Sequence, residues 1–237
     1  MSADTSDGST EIRHWRIVRK GLGVMSQDPF YHIPAGFLPC LQKYLVFYVF
    51  TGVIFMTDML LVIDMQRDFV SGSLGSPEAR AIVPAVAARI RRAKEEGTQV
   101  VFTLDTHESD YMDSREGRFL PVPHCIRGGE GWSLEPEIAK ECVRGMISFE
   151  KPTFGSTALM HHVAAAAAAK GCVSGKGMTI ELCGVCTDIC VVSNALLIKA
   201  ALPEADLIVD SALCAGVTIE KHAAALETMR SCQIDVR

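Results

Sequence analysis

Met178-Thr179-Ile180-Glu181-Leu182-Cys183-Gly184-Val185-Cys186-Thr187-Asp188-Ile189-Cys190-Val191 decides how the chain is read. The apolar segment Met178 to Leu182 predicts a buried strand, and Val191 to Ala201 predicts a helix. Gly184 to Val191 joins them, so Cys190 falls in the first turn of a helix that springs from a strand end. Unpaired N–H groups and the positive end of the helix dipole favour a thiolate there. A cysteine taken alone is more often one more buried small apolar residue. The rest of the chain has to decide between the two.

Working outward, strand and helix patterns alternate. Met59-Leu60-Leu61-Val62-Ile63 is a continuous apolar run, the mark of a strand buried on both faces. Ser76-Pro77-Glu78 opens a helix to about Glu96, with Pro77 in its first turn and Gly97 at its end. Further strands are expected at Gln99 to Leu104, about Met146 to Phe149, Asp206 to Asp210, and Gln233 to Val236. Further helices are expected near Leu134 to Cys142, Ser156 to Lys170, and Thr218 to Ser231. Asp105 to Gly131 reads as a long polar loop rich in Gly and Pro, and loops of that length are usually functional or disordered. The alternation implies parallel βαβ units. The predicted fold is a Rossmann-like, three-layer α/β/α domain with a mostly parallel six-stranded sheet.

In such a sheet, ligands bind outside the carboxyl ends of the strands. That rule gathers Asp64, Asp105, Glu150 with Lys151, Gly184 to Cys190, and Asp210 with Ser211 on one rim. A thiolate nucleophile needs a lowered pKa, a proton acceptor and a site for the developing oxyanion. The helix terminus and the Lys151 ammonium would lower the Cys190 pKa. Asp64 can take the thiol proton and return it to a leaving amine. Backbone N–H groups of the Val185–Cys190 turn can bind the oxyanion. A second group lies in the long loop: Asp105-Thr106-His107, then Glu116, then Pro123-His124-Cys125. Carboxylate plus imidazole suits Zn²⁺, Fe²⁺ or Mn²⁺. Asp110, Asp113 and Cys125 are rival ligands by spacing. His161 and His162 read as plain surface residues of a helix.

Composition bounds the rest. The 237 residues are 49% hydrophobic and 22% charged, which suits one domain with a sizeable core and an appendage. A net charge of −5 argues against nucleic acid as a partner. The nine cysteines are odd in number, and Cys183, Cys186 and Cys190 crowd one strand–helix unit. They read as reduced thiols of a cytoplasmic protein. Residues 1–57 lack the period of the rest and read as an atypical extension ahead of a domain over 58–237. Tyr44 to Phe55 is apolar, but its 12 residues fall short of the roughly 20 that cross a bilayer, so membrane contact is not expected. The favoured expectation is a natural start at Met56 or Met59. A partner- or membrane-binding extension, or an extra strand or helix on the domain, are the alternatives.

Four segments, in order, resemble the isochorismatase-like cysteine hydrolases, and within them the nicotinamidases, also called pyrazinamidases. They are Ile63-Asp64-Met65-Gln66-Arg67-Asp68-Phe69; Asp105-Thr106-His107 with Pro123-His124-Cys125-Ile126-Arg127-Gly128; Glu150-Lys151-Pro152-Thr153-Phe154; and Gly184 to Val191. The resemblance covers roughly 59–237. It implies a catalytic triad of Asp64, Lys151 and Cys190, with Asp68 structural. It implies a cis peptide between Val185 and Cys186 that aims the N–H groups of Cys186 and Cys190 at the oxyanion. It implies one divalent metal ion, Zn²⁺ first and Fe²⁺ or Mn²⁺ after it, on Asp105, His107 and His124. Glu116 matches the acidic ligand of one bacterial branch.

The implied substrate is a small amide, nicotinamide, bound against Phe69, Leu120 and Val185, and the implied role is NAD salvage. Two departures stand out. Phe119-Leu120-Pro121-Val122-Pro123-His124 is one residue longer than the usual Pro-Pro-His approach, which leaves Phe119 and Leu120 as rivals for the pocket wall. Thr157 stands where the family often has an aromatic, which suggests a wider pocket. An amidohydrolase of the same superfamily acting on a ureido or N-carbamoyl substrate is therefore the alternative. Isochorismate hydrolysis is not expected, because in the family it needs neither this cysteine nor a metal. A homo-oligomer is left open.

Overall fold

The computed structural model describes residues 57–142 and 145–237. The expectations for the extension, its apolar run and the natural start fall outside the described residues. Strand β1 (Met59–Ile63), β2 (Gln99–Asp105), β3 (Ile147–Lys151), β4 (Thr179–Val185), β5 (Asp206–Ala215) and β6 (Asp235–Val236) form one sheet. Its order is β3-β2-β1-β4-β5-β6, and every pairing is parallel. The expectation of a mostly parallel sheet thus becomes a wholly parallel one among the described residues. Parallel strands need crossovers, and the helices supply them: α1 (Arg67–Val70), α2 (Pro77–Glu96), α3 (Arg115–Phe119), α4 (Pro136–Glu141), α5 (Thr157–Ala169), α6 (Val192–Ala201) and α7 (Ile219–Ser231).

Each face of the sheet has its own core, so the domain has three layers. Met59, Leu61 and Ile63 of β1 pack with Leu159 and Val163 of α5, Ala195 and Ile198 of α6, and Leu226 and Met229 of α7. Leu60 and Val62 point the other way, onto Val83, Val86 and Ile90 of α2 and Ile138 of α4. That two-sided burial is why β1 reads as an unbroken apolar run rather than an alternation. The α2 boundaries follow local chemistry. The Ser76 side chain accepts from the Ala79 N–H, Pro77 fills the first turn, and Gly97 ends the helix in the left-handed region. Among the described residues no helix is long and apolar enough to cross a membrane.

Two elements differ from expectation in ways that bear on the rim. Strand β5 runs on to Ala215, because the β4–β5 register slips between Leu182 and Gly184. Asp210 and Ser211 therefore sit inside the strand, where Asp210 Oδ1 accepts the Ala212 N–H and the Ser211 N–H binds the Arg237 carbonyl. They are not rim residues; Ala215 to Val217 take that place. The long loop also contains structure, a 3₁₀ turn at Tyr111–Asp113 followed by α3.

Candidate active site

The sheet register brings the site together. Ile63, the last residue of β1, lies between Thr103 of β2 and Gly184 of β4. Asp64 follows directly and turns at φ 48°, a backbone conformation that costs a non-glycine residue of order 1–3 kcal/mol and concentrates at functional sites. On the far side of β2, Asp105 pairs with Lys151 of β3. Gly184 adopts φ 117°, and a Cβ there would lie 2.1 Å from the Ile63 carbonyl oxygen, so only glycine lets β4 close on β1 at this point. The Val185–Cys186 peptide is cis, and a π turn over Thr187–Val191 leads into α6.

These strand ends place Asp64, Lys151 and Cys190 in contact. Lys151 Nζ lies 2.7 Å from Asp64 Oδ2, 3.1 Å from Asp105 Oδ1 and 3.5 Å from Cys190 Sγ. All four side chains are buried. Burial pulls the Lys151 ammonium toward its neutral form, but Asp64, Cys190 and Asp105 outweigh it and hold the proton on. Burial pushes the Asp64 carboxyl up, and the opposing Lys151 charge only partly offsets this. The Cys190 thiol is pushed well up, first by burial and then by the Asp64 carboxylate, with Lys151 pulling the other way.

The lowering expected from the helix terminus and Lys151 is outweighed by burial and the Asp64 carboxylate. Burial and the neighbouring Asp64 carboxylate both favour the protonated thiol. The Cys190 sulfur accepts a hydrogen bond from Lys151 Nζ at 3.5 Å, and Asp64 Oδ2 lies against the same ammonium.

A ladder of three hydrogen bonds builds the second group. The His107 N–H binds the Cys125 carbonyl, the Arg127 N–H binds the His107 carbonyl, and the Thr106 N–H binds the Lys151 carbonyl. This stacks His124 beside His107 over Asp105. Asp105, His107 and His124 each present a ligand atom, all within 4.8 Å of one another, and all three are buried. His124 Nδ1–H donates to the Val122 carbonyl at 2.8 Å, which leaves the Nε2 lone pair facing Asp105. His107 Nε2 is buried 2.9 Å from Asp105 Oδ2 and has no aligned hydrogen-bond partner. Lone pairs held that close fit a cation between them.

Charge points the same way. Burial pushes Asp105 up, but His107, His124 and the Lys151 ammonium outweigh it and hold the carboxyl well below the usual range. Glu116 Oε1 lies 3.9 Å from both His Nε2 atoms, and its carboxyl is raised by burial and by Asp105. Three acids thus face one ammonium, a balance that a divalent ion would restore. Of the rival ligands, Asp110 and Asp113 are exposed, and Cys125 is buried outside the cluster.

A cavity of about 300 Å³ opens beside these groups. Cys190, Asp105, Glu116 and His124 reach its wall, and Phe69, Leu120, Phe154, Val185 and Ile189 supply its apolar surface. The extra loop residue resolves itself: Phe119 is 77% exposed, with Arg115 over its ring, while Leu120 lines the cavity. Thr157 does not line it. The Ser156 side chain caps α5, which turns Thr157 to solvent, and the aromatics at the cavity are Phe69 and Phe154. Glu150 points outward to Arg127. His162 is no plain surface residue: its Nε2 is buried, and its ring packs on Phe149.

Sequence reading missed the supports. Thr103 Oγ1–H donates to Asp64 Oδ1 at 2.7 Å and accepts the Asp64 N–H at 3.2 Å. Asn194 Nδ2 donates to the Cys190 carbonyl, and its Oδ1 accepts the Ser156 N–H, tying the cysteine turn to the start of α5. Neither residue carries a periodic or spacing signal.

The isochorismatase domain is matched over residues 58–237. The chain belongs to the isochorismatase family. Among solved structures, this isochorismatase-family chain is similar to the pyrazinamidase of Pyrococcus horikoshii in complex with zinc, with 26% identity and a TM-score of 0.62 over 76% of this chain and 98% of that one. It is similar to a nicotinamidase/pyrazinamidase of Bacillus subtilis, with 25% identity and a TM-score of 0.63 over 76% of this chain and 99% of that one. It shares its fold with the N-carbamoylsarcosine amidase of Thermoplasma acidophilum, with 23% identity and a TM-score of 0.60 over 77% of this chain and 96% of that one. No match was found among proteins of curated function. The chain is thus a hydrolase of the isochorismatase family.

Proposed function

We propose that this family member is a nicotinamidase, hydrolysing nicotinamide to nicotinate and ammonia through a cysteine thioester. One observation carries the reading: Asp105 and His124 of the Asp105–His107–His124 donor set reach the same apolar cavity as the Cys190 thiol. A flat ring with a lone-pair nitrogen at one end and a carboxamide at the other suits both groups. The similarity to a zinc-bound pyrazinamidase supports it. Asp105, His107 and His124, with Glu116 beside them, would hold a divalent ion, Zn²⁺ first by donor type. When bound, that ion supplies a Lewis acid to which a ring nitrogen can bind.

This chain's residues do the rest. Phe69, Leu120 and Val185 hold the ring and exclude water. Asp64 takes the Cys190 proton as Sγ attacks the carboxamide carbon and the C=O pair moves onto oxygen. The N–H groups of Cys186 and Cys190 receive that oxyanion. The oxyanion then collapses, the C–N bond breaks, and Asp64 gives its proton to the departing nitrogen as ammonia forms. Lys151 keeps its proton throughout and offsets the charge on Asp64. A water attacks the thioester while Asp64 takes its proton. The C–S bond breaks, and Asp64 returns the proton to sulfur.

The experiment is ammonia release from nicotinamide and from N-carbamoyl compounds, with and without chelator. Nicotinamide turnover that chelator abolishes and zinc restores is expected. Turnover of N-carbamoyl compounds alone would replace this reading with the ureido alternative.

A further inference from the structure

One short turn grips two of the three converging ligand segments. Gln66, between β1 and α1, is fully buried. Its Nε2 donates to the carbonyls of Asp105 and Trp132, each at 2.8 Å, and its Oε1 accepts the Asp105 N–H at 2.7 Å. Both backbone groups of Asp105 are thus fixed by one side chain. Two residues on, Asp68 Oδ2 accepts the Cys125 N–H at 2.7 Å. Cys125 follows His124 directly and stands at φ 46°, a left-handed conformation that L residues adopt only when something holds it. Its carbonyl meanwhile receives the His107 N–H. The kink at Cys125 is therefore pinned on one side by Asp68 and on the other by His107.

We infer that Asp68 is a positioning residue for His124: its carboxylate fixes the peptide after His124, so that the imidazole Nε2 faces Asp105 and His107. Asp68 is not a member of the ligand cluster and acts through the backbone. The inference rests on the reading of that cluster as a metal site. Gly131 provides an independent handle. Its carbonyl accepts the Asp68 N–H at 3.0 Å, and a Cβ on it would lie 2.0 Å from Asp68 Oδ2. The three atoms nearest to such a Cβ all belong to the Asp68 carboxylate, so a methyl group there must drive it out of place.

The test is calorimetric titration of Zn²⁺ into the chelator-stripped full chain, with the thermal midpoint of each variant recorded alongside. Outer partners of metal ligands typically contribute about 10–100-fold in affinity. Asp68→Ala and Gly131→Ala should each weaken zinc binding by about that factor. Asp68→Asn keeps an oxygen acceptor for the Cys125 N–H and should recover most of the loss. The double variant should be little worse than either single one, because both break the same contact. A lowered thermal midpoint with unchanged zinc affinity in Asp68→Ala and Gly131→Ala would make Asp68 a stabilising residue only and overturn the inference. Failure of the unaltered chain to bind zinc would overturn the metal reading itself, a result distinct from a normal chain with unaffected variants.

Discussion

Thr103→Val isolates the proton chemistry of the site. The Thr103 hydroxyl spends its one proton on Asp64 Oδ1, because its own oxygen already accepts the Asp64 N–H. Valine keeps the shape of the side chain and removes that donor, along with the acceptor of the Asp64 N–H, whose loss costs stability but does not bear on the carboxylate. A hydrogen bond to a charged group is worth about 1.5–3 kcal/mol, and one pKa unit corresponds to about 1.36 kcal/mol. The bond stabilises only the ionised form of Asp64, so its loss raises the pKa of a carboxyl that burial already holds high. In the proposed mechanism Asp64 must be ionised to receive the thiol proton. The acidic limb of kcat/KM should therefore move up by about 1–2 pH units, while activity on the alkaline side of the limb stays close to normal. The assay is ammonia release from nicotinamide across the pH range. Activity reduced by the same factor at every pH, with the limb unmoved, would refute the argument.

Two further outcomes are expected. Cys190→Ala should abolish turnover while the folded chain keeps its zinc affinity, read by calorimetry; residual turnover near normal would remove Cys190 as nucleophile. Arg89→Met should cost about 3–5 kcal/mol in urea unfolding, because it strands Glu181, which Arg89 holds through Nε and Nη2 at 2.9 and 2.8 Å between α2 and β4. Changing Glu181 to Leu in the same chain should recover much of that loss, and no recovery would contradict the buried-charge account.

The sequence made the strand ends legible because parallel topology puts chemistry at a predictable place. Asp64, Asp105, Lys151 and Cys190 could be gathered from apolar runs and the residues that close them. What failed was tertiary. The register slip beside Gly184 lengthens β5 and carries Asp210 and Ser211 away from the rim, and a slip leaves no trace in composition. The helix terminus and Lys151 both argue for a lowered Cys190 thiol. Burial and the Asp64 carboxylate, both products of the assembled sheet, push the other way. Thr103 was unreadable because a threonine in a strand is ordinary until its neighbour is known. Thr157 drew attention by its position along the chain, yet the cap at Ser156 turns it outward.

The place of β1 in the sheet bears on how the protein is made. β1 emerges first of the six strands, and its two neighbours are β2 and β4. β2 follows soon after, but Leu61 must wait for Leu182 before its other edge is paired. At about 5–20 residues per second, synthesis leaves that edge open for on the order of ten seconds. The open strand is Met59 to Ile63, five apolar residues with no charge among them, the kind of segment that recruits other chains through its edge. A ribosome that stalls before β4 thus releases a chain with its most apolar strand half paired. β4, the strand that leads into the Cys190 turn, is also what shields β1 during birth.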